Sequence, residues 1–469
     1  MRKRNEAMKQ FESIDVGLLK KYSAQGPRYT SYPTAPLFAP SFGPAEYREE
    51  IVRTNADGSS ADLSLYFHFP YCDTLCYFCG CTMLVTHDQN NIRSYNEYLK
   101  KEIELIAPLI SPKRNVTQLH WGGGTPSYQE PDEIRNIGAF IKDHFHFAGD
   151  IEASVEIDPR GLTYDHMLAL RESGFNRVSM GVQDFNEKVQ ESVNRIQPES
   201  ITRDAINWSR DLGFSSINLD LIYGLPFQSV ETFAETVRTV IDMSPDRIAV
   251  FNYAHVPWLK PHQKILKNEI LPTVEEKLEI FKLTIEMLVE AGYWNIGMDH
   301  FAKATDEMTI AQRNKTMYRN FQGYSTKAGC DLYGFGMSAI GHFRDSYHQN
   351  LKTVGEYTKA LGSGNLATTV GYRMTTDDHI RKDVIMRIMC DMELDIPATE
   401  AKHGIDFRSY FTPSFGKLAP FVDDGLVSIE PSKIVVHGLG RLVIRNIAMA
   451  FDAYIDEMMK TKPIFSKTV

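Results

Sequence analysis

From about residue 61 to residue 300, short runs of apolar and β-branched residues alternate with longer stretches whose apolar positions recur at helical spacing. Leu63–Phe69, Thr117–Trp121, Glu152–Ile157, Arg177–Val182, Ser216–Ile222 and Arg247–Tyr253 read as strands. One intervening helix can be read closely. Thr273 and Glu276 form a capping box. Leu278, Phe281, Ile285 and Leu288 then fall on one face, and Gly292 stands where a left-handed stop belongs. Six such strand–helix units predict an α/β fold, a partial (β/α)6 TIM-like barrel with its site at the C-terminal ends of the strands.

The pattern changes outside this stretch. Gly26-Pro27-Arg28-Tyr29-Thr30-Ser31-Tyr32-Pro33-Thr34 is turn-rich and aromatic, and reads as an extended arm. After about residue 375 the pattern turns helical. It closes with two short β-type runs, Gly425–Ile429 and Lys433–Val436, and a helix expected over Arg441–Met458. Helices followed by a hairpin are winged-helix-like. The expected organisation is an arm and substrate-covering segment over 1–55, a barrel domain with extension over 56–375, and a mainly helical C-terminal domain over 376–469.

Composition narrows the class. The chain has 469 residues, 43% hydrophobic and 24% charged, enough for a sizeable core. Its formal net charge of −9 gives no global basic surface, and the winged-helix-like end lacks a dense basic face, so packing is expected there rather than nucleic-acid binding. The N-terminus lacks the apolar core of a signal peptide, and no stretch reaches membrane-spanning length.

The cysteines change the picture most. Of six, four fall within Cys72–Cys81, at 72, 76, 79 and 81. The Cys-x3-Cys-x2-Cys spacing is not that of a zinc ribbon. It lets three thiolates of one loop reach three corners of an iron–sulfur cubane and leaves one iron open to a ligand. Buried inert thiols are the plain alternative. Bunched cysteines with no secretory signal suit a reducing compartment, the cytoplasm. Cys330 and Cys390 stand alone and read as packing residues.

Candidate chemistry gathers at the strand ends. His120-Trp121-Gly122-Gly123-Gly124-Thr125-Pro126 offers backbone amides that could hold a carboxylate or an amino-acid backbone, or is an ordinary tight turn. Glu156 and Asp158 share a face of the third strand. Gln183, Asp184 and Arg195 read either as solvated surface or as ligands. Asp220, bracketed by apolar residues, is expected to be buried and to need a cationic partner. His255 and His300 read as structural.

The run Leu65-Tyr66-Phe67-His68-Phe69-Pro70-Tyr71-Cys72 through Cys81 resembles the cluster loop of the oxygen-independent coproporphyrinogen III oxidases, radical S-adenosylmethionine (radical SAM) enzymes of haem biosynthesis. The resemblance extends through Gly26–Ala35, Gly122–Pro126, Phe175–Phe185, Val250–His255, Gly297–Phe301, Arg319–Tyr324 and Gly438–Ile447, nearly the whole chain. Cys81 and the arm with Arg28 are similar to the true oxidases. Related haem-binding chaperone-like proteins typically lack both. A haem-delivery protein is therefore the alternative reading, and a DNA-binding regulator a remoter one.

The resemblance implies that Cys72, Cys76 and Cys79 ligate a 4Fe–4S cluster and that two S-adenosylmethionine molecules bind. Matching binding positions are Tyr66, Phe78, Gly123, Gly124, Thr125, Glu156, Gln183, Arg195, Asp220, Ala254 and Ile340. It implies a 5′-deoxyadenosyl radical that takes hydrogen from a substrate propionate. Two propionates of coproporphyrinogen III would become vinyl groups, giving protoporphyrinogen IX. Cys81 and Arg28 are the candidate catalytic residues. Cys81 is expected to line the second cofactor or the substrate without ligating iron. Arg28 is expected to meet a propionate, with Tyr29 and Tyr32 against the macrocycle; the alternative is an arm that only packs on the barrel mouth. The expected partners are the substrate, an electron donor and an electron acceptor. No nucleic acid or membrane is expected, and the chain is expected to be a monomer.

Overall fold

A computed structural model describes residues 10–11, 13–56, 61–461, 465 and 467. They fall into two compact units. One comprises 36–220 and 329–374; the other comprises 1–35, 221–328 and 375–469. Both are assembled from separate stretches of chain, so this partition differs in kind from the sequence segments 1–55, 56–375 and 376–469.

The 36–220 and 329–374 unit is built on parallel strands. The first strand, Leu63–Phe69, pairs in parallel with the second, Val116–Gly123, and on its other side with Asp331–Phe335. The second pairs with the third, Phe147–Ile157, and the third with the fourth, Arg177–Gln183. The fifth, Ser216–Tyr223, follows the fourth in the sheet. Helices Gln89–Ile106, Pro131–His144, Tyr164–Glu172 and Glu199–Asp211 fill the connections. Three antiparallel strands, Ile340–Phe343, Ser346–Asn350 and Thr368–Arg373, extend the sheet beyond Asp331–Phe335. The first strand is buried along nearly its whole length, as a strand covered on both faces must be, whereas the fourth alternates. That alternation turns Ser179, Gly181 and Gln183 to one side and Val178, Met180 and Val182 into the core.

The other unit contains the sixth strand, Arg247–Asn252, paired antiparallel with His300–Lys303, which pairs with Tyr293–Gly297. Helix Val274–Glu290 has the expected capping box. Thr273 Oγ1 accepts from the Glu276 amide at 3.2 Å, and Glu276 accepts from the Thr273 amide at 2.7 Å. Gly292 is left-handed at φ +92°.

The C-terminal stretch of this unit has the helices and the hairpin, Val427–Ile429 with Lys433–Val436, and adds a third strand, Glu393–Asp395. The helix expected over Arg441–Met458 is not continuous. A 3-10 turn over Gly438–Arg441 precedes Ile444–Met449, and a new helix begins at Ile455. The break has a local cause. Asp452 Oδ1 accepts from the amides of Tyr454 and Ile455, so the side chain competes with the helical carbonyls and restarts the chain.

Tyr29 and Tyr32 do not present their rings to a ligand. Both are fully buried in this unit. Tyr29 donates its hydroxyl to Asp452 at 2.9 Å, and the Tyr32 oxygen accepts from the Ala453 amide at 3.0 Å. The hydroxyls anchor the arm to the C-terminal helices, an efficient use of a large apolar ring with one polar tip. Among the described residues, no helix is long and apolar enough to cross a membrane.

Candidate active site

Cys72, Cys76, Cys79 and Cys81 all line one cavity of about 550 Å3 in the unit of residues 36–220 and 329–374. The loop that carries them leaves the end of the first strand. It is fastened at several points. The Cys79 amide donates to the Cys76 carbonyl at 3.0 Å, making a tight turn between two thiols. The Tyr77 amide donates to the Val193 carbonyl at 3.0 Å, and Asn194 Nδ2 donates to the Leu75 carbonyl at 2.9 Å. His68 faces the Thr82 carbonyl at 2.9 Å through Nε2 and the Tyr66 hydroxyl at 3.0 Å through Nδ1.

The thiols sit among donors. Thr125 Oγ1 donates to Cys72 Sγ at 3.2 Å. Arg160 and Arg195 approach Cys76 Sγ at 3.5 and 3.7 Å. Burial pushes the Cys72 thiol up to about 12, so a metal binding there must displace a proton. Cys81 is exposed and lies against the Cys79 thiol, which raises its pKa. Among the described residues no three His, Cys, Asp or Glu side chains surround a single-ion position. A cubane instead spreads its thiolates over separate irons.

Asp158 holds the two guanidiniums in place. It accepts from Arg160 at 2.7 Å and from Arg195 at 2.9 Å. Burial opposes its charge, but Arg195 and Arg160 override it and hold the carboxyl below its usual range. Arg195 also donates to the Gly181 carbonyl at 2.7 Å. The solvated-surface reading therefore fails for Arg195 and for Asp184, both buried. Asp184 instead shapes the turn, accepting from the Asn186 amide at 2.8 Å.

Strand register sets the opposite wall. Glu156 pairs with Ser179, and His68 with Gly122. Glu156 accepts from the Gly123 amide at 3.0 Å and lies 3.4 Å from His120 Nε2. Burial disfavours its charge. His120, the Gly123 amide and His68 outweigh that and lower its pKa. Asp220 is half-buried rather than buried, and its carboxylate faces the cavity. Its partners include the Ser179 hydroxyl at 3.1 Å and the Asn218 amide at 2.8 Å.

The glycine-rich turn differs from expectation in a specific way. The amides expected to meet a ligand are taken by the protein. That of Gly123 goes to Glu156, that of Gly124 to the Phe69 carbonyl at 2.7 Å, and that of Thr125 to the Tyr71 carbonyl at 2.9 Å. The glycines serve close packing. A Cβ at Gly124 would lie 2.6 Å from the Pro70 carbonyl, and one at Gly123 would lie 2.5 Å from the His68 ring.

Two buried polar atoms on the cavity wall lack partners among the described residues, Gln183 Oε1 and Arg195 Nε. Gln183 has φ +67°, a strained backbone for a residue with a side chain. Three thiols, two carboxylates and these two orphaned atoms suit an iron–sulfur cluster and a ligand carrying amino, carboxylate and hydroxyl groups.

Phe78, Gly123, Gly124, Thr125, Glu156, Gln183, Arg195 and Asp220 thus line the cavity with the four cysteines. Tyr66 is not among the lining residues. Its ring stacks on His120, centroids 5.8 Å apart, and its hydroxyl meets His68. Ile340 starts a sheet strand of the same unit, with its carbonyl packed where a Cβ on Gly334 would fall. Arg28 and Ala254 line a different cavity, of about 230 Å3, in the other unit. There Arg28 is committed. It pairs with Asp299 at 2.6 Å and lies over the Phe251 ring. Burial works against the Asp299 charge, but Arg28 and then His300 hold its carboxyl well below the usual range.

Cys390 is buried in the core, as expected of a packing residue; Cys330 is half-buried beside Thr117. Sequence reasoning missed Arg160, His68 and His120. Arg160 follows Asp158 by two residues, which was a usable signal. His68 lies two residues from Tyr66 on the same strand, a weaker one. His120 meets Tyr66 only through strand register.

The Radical SAM superfamily pattern matches residues 66–240, and that of the HemN C-terminal domain matches residues 374–443. The oxygen-independent coproporphyrinogen III oxidase of Salmonella typhimurium is 45% identical over 97% of this chain and 98% of its own. That of Helicobacter pylori is 41% identical over 98% and 100%. The solved coproporphyrinogen III oxidase HemN of Escherichia coli, a radical SAM enzyme, superposes with a TM-score of 0.90 at 44% identity, covering 95% of this chain and 100% of that one. The expected fold class stands, and the chain belongs to the oxygen-independent coproporphyrinogen III oxidase family of radical SAM enzymes.

Proposed function

We infer that the protein catalyses the oxygen-independent oxidative decarboxylation of two propionates of coproporphyrinogen III to vinyl groups, yielding protoporphyrinogen IX in haem biosynthesis. The observation that carries this reading is the four-thiol cavity within a chain 41–45% identical to named oxidases over nearly its full length. The bound cluster and S-adenosylmethionine supply one-electron chemistry that removes hydrogen from the propionate, while the protein binds, orients and excludes water.

Cys72, Cys76 and Cys79 are assigned to the cluster, with Thr125, Arg160 and Arg195 stabilising thiolate charge around it. Glu156, Gln183, Arg195 and Asp220 serve S-adenosylmethionine, Glu156 and Asp220 as acceptors for ammonium or ribose hydroxyls. Phe78 supplies apolar surface and the Gly123–Thr125 turn supplies shape. Two S-adenosylmethionine molecules are proposed. Tyr66 acts through His68 and His120, as a positioning residue. Ala254 and Ile340 are kept as cofactor-binding positions on family grounds. Cys81 is assigned to the substrate or second cofactor. Each vinyl group formed releases carbon dioxide and one electron beyond the hydrogen removed, so an electron acceptor is needed besides the donor that reduces the cluster. The cytoplasm suits a loop of free thiols. A monomer, with no nucleic-acid or membrane partner, is proposed.

The test is an anaerobic assay of the reconstituted protein with dithionite, S-adenosylmethionine and coproporphyrinogen III, read by mass. Protoporphyrinogen IX with 5′-deoxyadenosine is expected. Tight haem binding with an intact cluster and neither product would overturn the reading in favour of haem delivery.

A further inference from the structure

The second cavity, in the unit of residues 1–35, 221–328 and 375–469, carries an unusual charge arrangement for an acidic chain. Its charged lining consists of Arg28, Lys277, Arg445 and Lys467 against one carboxylate, Asp299, with His255 beside them. Asp299 is taken by Arg28 at 2.6 Å through one oxygen, and His300 Nδ1 lies 2.8 Å from the other without hydrogen-bond geometry. Arg445 is taken by backbone. It donates to the carbonyls of Pro27 at 3.0 Å, Lys467 at 3.1 Å and Gly26. His255 meets the Tyr253 hydroxyl at 2.9 Å.

Lys277 is different. Among the described residues nothing accepts a hydrogen bond from its ammonium and no carboxylate pairs with it. The two acids that precede it in the same helical turn are engaged elsewhere. Glu275 pairs with Lys20, and Glu276 closes the capping box on Thr273. Lys277 also sits in the first turn of its helix, where the backbone dipole is positive and disfavours a cation. Its stem packs against Gly224. A Cβ on Gly224 would lie 2.9 Å from Lys277 Cε. Burial, with Lys467 adding, lowers the pKa of this ammonium. A half-buried cation with no partner among the described residues is destabilised until an anion arrives.

The same cavity has an apolar lip. Trp258 lines it and is 59% exposed, and the adjoining Leu259 is 61% exposed. Large apolar side chains left in water beside an unpaired ammonium match a ligand that carries a carboxylate on an apolar body. We propose that Lys277 binds a propionate of the tetrapyrrole substrate in this cavity and that Trp258 packs against its macrocycle. This rests on the function proposed above. It also assigns the unpaired charge of this cavity to Lys277 rather than to Arg28, whose guanidinium Asp299 already neutralises.

The test uses the reconstituted holoenzyme and Lys277→Met, Lys277→Arg and Trp258→Ala. The probes are coproporphyrinogen III for turnover, and coproporphyrin III and its tetramethyl ester for equilibrium binding by fluorescence. Lys277→Met should raise KM for coproporphyrinogen at least tenfold and leave the cluster absorbance unchanged. It should also abolish the preference of the wild type for the acid over the ester. Lys277→Arg should restore most of that preference, and Trp258→Ala should weaken acid and ester alike. An unchanged KM and an unchanged acid preference in a folded, cluster-loaded Lys277→Met overturn this assignment while the wild type still turns over. Failure of the wild type itself to turn over would instead overturn the proposed function.

Discussion

The two cavities of the protein are built on opposite principles. The thiol cavity engages its own charged groups before any ligand arrives, with Asp158 paired to Arg160 and Arg195 and Glu156 hydrogen-bonded to Gly123. What it leaves over is thiols and two orphaned polar atoms, so it is shaped for groups that coordinate and hydrogen-bond. The Arg28–Lys277 cavity pairs one cation and leaves another open beside exposed aromatic surface. Side chains already fixed by mutual pairing suit a cofactor that must be held in a set geometry. An excess cation suits an anionic substrate that must come and go. Proximity of charged residues in sequence therefore says little about function until their partners are counted.

The sharpest way to break the comparison is at the thiols. Cys76→Ser should lose the cluster absorbance and lower turnover more than about a hundredfold, because a ligand is lost outright rather than perturbed from the outer shell. Retained iron in that variant would remove Cys76 from the ligand set. Cys81→Ser should keep its iron and lower turnover by roughly tenfold, the scale of a positioning defect. If the iron goes instead, the fourth cysteine is a ligand.

In the other unit, Arg28→Met leaves the Asp299 carboxylate buried without its guanidinium and should destabilise the protein by about 2 kcal/mol, with iron content unchanged. Thermal unfolding of the iron-loaded variant measures it, and an unaltered midpoint would mean that His300 alone suffices for Asp299. A point change is the right probe here. Deleting residues 1–35 would also remove Tyr29 and Tyr32 from the core.

The last effect expected is a slope with pH. His348 is buried between Tyr47 and Phe343, neither ring nitrogen has a partner among the described residues, and burial lowers its pKa to about 3. An unfolded histidine titrates near 6.5. Between these values the unfolded chain carries a proton that the native one excludes. Its contribution to stability is thus full above the unfolded pKa and falls as the pH drops through the window, by up to about 1.4 kcal/mol per pH unit. His348→Phe should flatten this acid-side slope in denaturant titrations. An equally steep slope in the variant would assign the acid sensitivity to other groups.

The sequence by itself determined the strand–helix repeats, the cluster loop and the caps. These depend on local patterns, such as the period-two alternation of Arg177–Gln183 or the Thr273–Glu276 box, and on a cysteine spacing that needs one loop only. The family was legible because its motifs run the length of the chain. Tertiary structure decided which polar atoms remain free. It gave the Gly123–Thr125 amides to Glu156, Phe69 and Tyr71, Arg28 to Asp299, and Tyr29 to Asp452. It also put Arg160 beside Cys76 and left Lys277 without a partner among the described residues. Those outcomes turn on residues tens to hundreds of positions apart, meeting through strand register and packing. A donor's availability is a property of everything that surrounds it, so no local pattern encodes it.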